Sequence, residues 1–268
     1  MDKAIEYFSV FGGVKISVDI DTPIDEQIET KIFNKYKYLR NDISDISMGE
    51  PLDHKILSAL ALGDRRTNSA FKKVGISFDD GIDIIDKQCS RGMLRLEKSR
   101  YQLANQQFDE TISERLHFTT PFAHFWFAFV SPVFKGIKNG EFDEAFKIYH
   151  NYKNQFQEVV FNQLSHEILK KSYSNTENRI INIGRYWDKD HNIDLIATTK
   201  NNKIILGTTK FSNNKMKKSE LTKLKDIAKT LGIDVDIFVL FSRKGFSNEL
   251  KSLKSDNLKL FTPKNFNK

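Results

Sequence analysis

The chain has 268 residues, of which 39% are hydrophobic, and a formal net charge of +7 at pH 7, enough for one large or two ordinary domains with apolar cores. Its single cysteine, Cys89, excludes an intramolecular disulfide and a metal site built from several thiolates of one chain. No apolar run is long enough to cross a membrane and the first residues lack a signal-peptide pattern, so we expect a cytoplasmic protein with no membrane partner.

Residues 1–50 are predicted to form an N-terminal α/β extension. An apolar start leads to the Gly12-Gly13 pair and an alternating apolar run over residues 14–20. A helix is predicted over residues 25–40, beginning after Pro23. No Gly-Lys-Ser or Gly-Lys-Thr follows the glycine pair, so we expect no nucleotide loop and no ATP hydrolysis by this chain.

Residues 51–114 contain three predicted helices, over 53–63, 67–75 and 79–92, and then a predicted hairpin over 93–100. This order resembles a winged helix-turn-helix module, with residues 78–90 as the recognition helix and 91–100 as the wing. Four acids lie on the predicted recognition helix: Asp79, Asp80, Asp83 and Asp86. Since carboxylates repel DNA phosphates, we expect a protein-contacting or structural module rather than one that reads bases. The wing still offers candidate phosphate contacts: Arg91, Arg95, Lys98 and Arg100.

Residues 115–154 are predicted to be a helical connector. Six apolar residues recur at helical spacing: Phe122, Phe125, Trp126, Phe129, Val130 and Val133. An aromatic stripe of this width predicts a core or interface helix, and Pro132 is expected to bend or end it.

Residues 155–268 are predicted to form an α/β domain. A helix over residues 155–171 precedes three strands within residues 179–211, with Lys200-Asn201-Asn202 as the turn between the second and third. A helix over 217–232 and a uniformly apolar, buried strand over 236–241 follow. The tail is expected to add a further helix and an edge strand over 258–261.

Four sequence pieces carry a family resemblance: Gly184-Arg185-Tyr186-Trp187, Asn192-Ile193-Asp194, Leu206-Gly207-Thr208-Thr209-Lys210, and the aromatic run over residues 121–130. In their order along the chain, beginning with the aromatic run, these pieces resemble the C-terminal domain of archaeal-type ATPases, a family of unknown function. The resemblance covers residues 115–241. The resemblance implies a restriction-endonuclease-like, or PD-(D/E)XK, fold, a mixed sheet with flanking helices. It also implies that Asp194 holds Mg²⁺ and that Lys210 acts beside the scissile phosphate.

Three family acids are replaced by neutral residues: Gln157, Asn192 and Thr208. Only Asp194 and Lys210 match the pattern, and Glu158 is the candidate substitute for the missing helix acid. We therefore expect Lys210 to lack an anionic neighbour, a state that favours phosphate binding over metal binding.

The basic surplus lies in the last quarter of the chain. Residues 200–268 contain 16 Lys and Arg against 6 Asp and Glu, whereas residues 1–50 contain 6 against 10. Lys218, Lys225 and Lys229 share one face of the predicted helix over residues 217–232. Such asymmetry is typical of a protein with a polyanionic partner, although a solvated lysine-rich surface has the same composition.

The leading hypothesis is a protein that binds the phosphate backbone of DNA or RNA without cutting it, and so is not an enzyme and needs no cofactor. Its predicted contacts are Lys210, Arg185, Lys218, Lys225 and Lys229. One alternative is a Mg²⁺-dependent DNA nuclease with Asp194, Glu158 and Lys210 as catalytic residues and Asp194 as the metal ligand. The other is a protein assembly module that binds no nucleic acid.

Overall fold

The structure, a computed structural model, describes residues 2–47, 50–100, 112–174 and 177–267. The chain divides into two compact units. The N-terminal unit comprises residues 3–98 and 113–153, and the C-terminal unit comprises residues 1–2, 99–112 and 154–268. Across the described ranges, every helix is too short or too polar to pass through a lipid bilayer.

Helices form the first part of the N-terminal unit. They are α1 (Asp2–Phe11), α2 (Ile24–Ile28), α3 (Tyr36–Ser47), α4 (Pro51–Ala61), α5 (Thr67–Val74) and α6 (Phe78–Ser90). Gly75 ends α5 with a left-handed φ of 80°, and Ser77 caps α6 by accepting a hydrogen bond from the Asp80 main-chain N–H. The three helices predicted between residues 53 and 92 are confirmed.

The single helix predicted over residues 25–40 is wrong. A π-helical turn, Glu29–Phe33, follows α2, and α3 begins only at Tyr36. Ile32 and Phe33 of this turn are both buried. The alternating run over residues 14–20 forms no strand with the described residues, and its last apolar residue, Ile20, is 50% exposed.

A small antiparallel sheet follows α6. Strand β1 (Leu94–Glu97) pairs with β2 (Arg115–Phe118), so that Leu94 faces Phe118 and Glu97 faces Arg115. The hairpin predicted within residues 93–100 is therefore wrong, because this segment supplies one strand and its partner lies further along the chain. The order of three helices followed by two antiparallel strands is nevertheless the one that a winged helix has.

The aromatic connector is buried over residues 122–130. It consists of α7 (Pro121–Phe125), a π-helical turn (Trp126–Val130), a 3₁₀ turn (Ser131–Val133) and α8 (Phe134–Asn139). Residues between the stripe positions, such as Phe127 and Ala128, are 0% exposed as well. The predicted core helix is confirmed, and Pro132 lies in the 3₁₀ turn where the helix was expected to bend or end.

The C-terminal unit contains a five-stranded mixed sheet. Its elements are α9 (Asp143–Ser172, which starts in the N-terminal unit), β3 (Ile180–Trp187), β4 (Asn192–Thr199), β5 (Ile204–Lys210), α10 (Lys218–Thr230), β6 (Ile237–Ser242), α11 (Asn248–Ser252), β7 (Leu258–Phe261) and a terminal 3₁₀ turn (Pro263–Asn267). The strand order is β3-β4-β5-β6-β7, with the first three antiparallel and the last two added in parallel. The predicted α/β class is confirmed.

Local sequence explains how these strands connect. Asn202, with φ 57°, supplies the left-handed residue of the predicted β4–β5 turn, and Gly232, with φ 64°, ends α10. Leu221, Leu224 and Ala228 of α10 pack on Leu206 and Leu240 of the sheet. Since β6 has a hydrogen-bonded strand on each side, it is the buried strand that its apolar run predicts.

Candidate functional site

Asp194 lies at a β-bulge where β3, β4 and β5 meet. Gly184 faces Ile196 and Tyr186 faces Ile193, so Asp194 and Leu195 together oppose the single residue Arg185. A bulge turns a side chain away from the regular alternation of a strand, and bulges are frequent next to functional sites. The sequence shows no signal for this bulge.

The Asp194 carboxylate is an acceptor for the end of β5. Its Oδ2 accepts hydrogen bonds from Thr208 Oγ1 (2.8 Å), the Thr209 main-chain N–H (2.9 Å) and, at 3.4 Å, Thr209 Oγ1. Thr208, which replaces the family acid, therefore donates to the carboxylate that an acid at this position would repel. One oxygen of Asp194 is fully engaged in joining two strands.

Helix α9 contributes polar groups to the same region. Asn162 Nδ2 donates to Thr209 Oγ1 (3.2 Å), and His166 Nε2 donates to the Asp194 main-chain carbonyl (2.7 Å). Glu158 lies at the surface; desolvation raises the pKa of its carboxyl group, and the negative charge of Asp194 raises it further. The two carboxylates predicted to act together are thus close enough to repel one another.

Lys210 is paired with an acid that the sequence did not indicate. Its Nζ donates to Glu220 Oε1 at 3.0 Å, and the two side chains are 27% and 31% exposed. The expectation that Lys210 lacks an anionic neighbour is wrong. Glu220 lies in the first turn of α10, ten residues further on, and the connection between β5 and α10 brings it back to the end of β5.

Arg185 and Gln157 are nearly inaccessible. Arg185 is 5% exposed and Gln157 is 3% exposed. Within the described ranges, the buried polar atoms of this unit that have no hydrogen-bond partner include Arg185 Nε, Gln157 Nε2 and Asn162 Oδ1. Buried atoms of this kind are rare in native proteins, and two of these three belong to predicted site residues, Arg185 and Gln157.

The lysine face of α10 is exposed. Lys218 Nζ lies 3.0 Å from Glu249 Oε1, with side chains 49% and 64% exposed, and Lys225 Nζ lies 5.6 Å from the centre of the Phe238 ring. Lys229 is also exposed. An exposed ion pair of this type contributes at most about 1 kcal/mol, so an incoming anion can replace Glu249 at low cost.

The donor set at Asp194 does not fit a hydrolytic metal centre. Although Glu158 approaches Asp194, Oδ2 of Asp194 already has three donors. Asn192, where the family has another acid, is an exposed amide at the start of β4. In the part of the chain that the structure describes, no group of three or more His, Cys, Asp or Glu side chains could hold a metal ion.

The winged-helix-like segment has an acidic outer face. Asp79, Asp80, Asp83 and Asp86 are all exposed on α6, and so is Phe78, at 51%. Arg100, predicted as part of the wing, donates instead to the Ile183 carbonyl on β3 at 2.9 Å. Lys98 lies 3.4 Å from Glu114 in an exposed ion pair. The other two predicted wing cations, Arg91 and Arg95, are exposed.

Sequence reasoning missed three members of the site: Thr209, Asn162 and Glu220. Thr209 acts through its main-chain N–H as well as its hydroxyl, which a residue pattern does not reveal. Asn162 lies four residues after Glu158 on α9, so the helical period could have placed it near the same strands. Glu220 could have been found as the acid closest in sequence to Lys210 on the C-terminal side.

Comparison with known proteins finds similarity only to proteins of unknown function. Residues 126–223 match the model of a family described as archaeal and bacterial proteins of unknown function. The chain is 22% identical over 209 residues to an uncharacterized protein of Methanocaldococcus jannaschii, an alignment that covers 75% of this chain and 46% of that protein. The chain thus spans less than half of that relative's length. No solved structure matches the chain.

The family match covers Asp194, Lys210 and Glu220 and leaves out β6 and β7. It supports the predicted resemblance to an archaeal family of unknown function. The association with ATPases and the restriction-endonuclease-like fold stay predictions.

Proposed function

We propose that this protein binds the phosphate backbone of a nucleic acid through its C-terminal unit and does not cleave it. The observation that carries the proposal is the exposed lysine face of α10 in a segment with ten more basic than acidic residues. Lysines of this kind attract polyanions and release their counterions on binding. The C-terminal unit would then be a relative of PD-(D/E)XK nucleases that has kept the sheet and lost the metal acids.

The contacts assigned to phosphate are Lys218, Lys225 and Lys229. Lys210 is already neutralised by Glu220, and Arg185 is buried, so neither supplies a free surface charge. Three further exposed lysines, Lys215, Lys217 and Lys223, lie before and along α10 and extend the positive surface. Two acids interrupt it, Glu220 and Asp226, and the first of them is paired with Lys210.

The hydrogen bonds of Asp194 and Lys210 support the absence of cleavage. Hydrolysis in this fold needs carboxylate oxygens that hold Mg²⁺ and a lysine near the attacking water. Asp194 Oδ2 instead holds the end of β5, and Lys210 Nζ is bonded to Glu220. The nuclease alternative keeps one favourable observation, the raised pKa of Glu158 beside Asp194.

The winged-helix-like segment is proposed to contact a protein. The exposed carboxylates of α6 and the half-exposed Phe78 would face a basic partner with an apolar centre, whereas they would repel DNA. We therefore assign nucleic-acid binding to the C-terminal unit alone.

The proposal is tested by charge reversal on the full chain. Fluorescence anisotropy is measured with labelled single-stranded DNA, single-stranded RNA and duplex DNA of about 25 nucleotides or base pairs, from about 50 to about 200 mM salt. The test variant carries Lys218→Glu, Lys225→Glu and Lys229→Glu. The matched control carries Lys200→Glu, Lys251→Glu and Lys254→Glu, which are exposed, lie in the same unit and change the net charge equally.

We expect the unmodified chain to bind with a Kd of roughly 10⁻⁴ to 10⁻⁶ M or tighter at low salt. The α10 variant should bind at least about tenfold more weakly, and the slope of log K against log salt should fall by about 0.9 for each lost duplex contact. Equal losses in the α10 variant and the control would show that only net charge matters. Absence of binding at low salt would favour the assembly module.

A further inference from the structure

A cavity of the N-terminal unit lies between α3, α4, α5 and the aromatic connector. It has a volume of about 600 Å³ and a mainly apolar lining, which is the size and character of pockets that hold small molecules. Tyr36 and Trp126 form one wall, with their rings stacked 5.6 Å apart and inclined by only 4°. Leu62, Val74 and Phe134 supply further apolar surface.

Three cations, Arg40, Lys55 and Lys73, line the same cavity, each from a different helix. None of the described lining residues is acidic. All three cations are exposed, and no salt bridge joins them to an acid within the described ranges. An apolar cavity whose rim carries only positive charge is complementary to a molecule with an apolar body and a negative end.

The polar groups inside the cavity are few. His54 lies between the rim and the aromatic wall, its Nδ1 3.3 Å from Ser131 Oγ and its ring edge-on to Phe127. Burial lowers the pKa of His54, and the nearby charge of Arg40 lowers it further, which is the effect expected inside a positive field. Ser58 and Ser131 add two hydroxyls. A nucleotide, with its sugar and base edges, would leave many hydrogen-bonding groups without partners here.

We propose that this cavity binds a small apolar carboxylate, with an aromatic or aliphatic body against Tyr36 and Trp126 and its anionic end among Arg40, Lys55 and Lys73. This site is separate from the lysine face of α10 and does not depend on the proposed nucleic-acid binding. It would make the N-terminal unit a receptor for a small-molecule ligand.

The test uses two fluorescent probes with the same aromatic skeleton. 8-Anilinonaphthalene-1-sulfonate carries a negative charge, and N-phenyl-1-naphthylamine does not. The full chain is titrated with each probe. Three variants are compared with it: Lys55→Glu with Lys73→Glu at the rim; Lys138→Glu with Lys147→Glu, exposed and outside the lining, as the charge-matched control; and Ser58→Trp, which fills the cavity.

We expect the anionic probe to bind with a stoichiometry of one, and its affinity to fall roughly tenfold in the rim variant but not in the control. The neutral probe should bind the rim variant and the unmodified chain equally, and Ser58→Trp should weaken both probes. Dodecanoate or 2-naphthoate should displace the anionic probe, and whichever competes more strongly identifies the body of the ligand.

Three results would overturn the proposal. They are equal affinity of the anionic probe for the rim and control variants, displacement by adenosine monophosphate but by neither carboxylate, and no binding of the anionic probe at all. The rim substitutions lie at exposed positions, so the test stands even where Ser58→Trp disturbs the fold.

Discussion

At the scale of single residues, Asp194 is the side chain on which the candidate site depends. The resemblance to nucleases predicts that this carboxylate binds a metal. In this structure its Oδ2 accepts hydrogen bonds from Thr208 and Thr209 instead. Neutral donors beside a carboxylate stabilise its charge without a cation. Thr208, where the resemblance predicts an acid, thus donates to Asp194.

Asp194→Ala should destabilise the protein by about 1 to 3 kcal/mol, because the Thr209 N–H and the Thr208 hydroxyl lose their acceptor. Asp194→Asn keeps an acceptor oxygen, so it should lower the free energy of unfolding by less than half as much. Urea unfolding of the two variants and the unmodified chain measures the difference. Equal stability of both variants would show that Asp194 is not a structural acceptor.

His124 predicts acid sensitivity in the N-terminal unit. Burial lowers its pKa from 6.5 to about 4, while its Nε2 donates to the Ala61 carbonyl at 3.0 Å. The folded state therefore resists protonation, whereas the unfolded chain takes up a proton below about pH 6.5, so stability is lost as the pH falls from there towards 4. The loss attributable to this group is roughly 3 kcal/mol by about pH 4.

His124→Phe should be less stable at about pH 7.5, because the Ala61 carbonyl loses its donor, but its stability should change less with pH. Urea midpoints measured between about pH 7.5 and 4.5 test this, and the lowered pKa of His54 should leave a residual slope. An unchanged pH dependence in the variant would exclude His124 as the cause.

At the scale of elements, the close contact of β5 and β6 determines where Thr208, Thr209 and Lys210 lie. A Cβ at Gly207 would stand 2.5 Å from Val239 Cγ2 and 2.9 Å from the Val239 carbonyl oxygen, so only glycine fits. The parallel pairing places Thr208 opposite Leu240 and Lys210 opposite Ser242. Gly207 therefore sets the strand spacing next to the candidate site.

Gly207→Ala should destabilise the C-terminal unit by about 1 to 3 kcal/mol, since the clash includes main-chain atoms that cannot move aside cheaply. Gly207→Ala combined with Val239→Ala should recover part of this loss, because the shorter side chain removes one of the two clashes. Thermal unfolding of the single and double variants measures the recovery. If the double variant lost as much stability as the Gly207→Ala and Val239→Ala variants together, the proposed clash between these residues would be contradicted.

Turns, helix ends and strands were predictable from the sequence where neighbouring residues determine them. The turn at residues 200–202, the end of α10 at Gly232 and the apolar run of β6 depend on neighbouring residues, and all are confirmed. The partner of β1 lies about twenty residues further along the chain, and the acid beside Lys210 is brought there by the connection between β5 and α10. A sequence pattern does not contain such pairings.

At the scale of the whole molecule, the charge is divided along the chain. Residues 1–50 and the exposed face of α6 are acidic, whereas residues 200–268 have the basic surplus. This division predicts different partners for the two units: a nucleic acid for the C-terminal unit, and a basic protein surface for the winged-helix-like segment. The cavity proposed to bind a small carboxylate lies in the N-terminal unit and would add a third kind of ligand.

The most direct test measures binding and cleavage of DNA in the same sample. End-labelled duplex and single-stranded DNA are incubated with excess full chain and Mg²⁺ or Mn²⁺ at low salt, anisotropy reports binding, and the recovered strands are then sized on a denaturing gel. We expect the protein to bind the DNA, and the DNA to be recovered at full length. Shortened strands that disappear when Asp194 is replaced by alanine would contradict this expectation, and so would DNA that stays unbound.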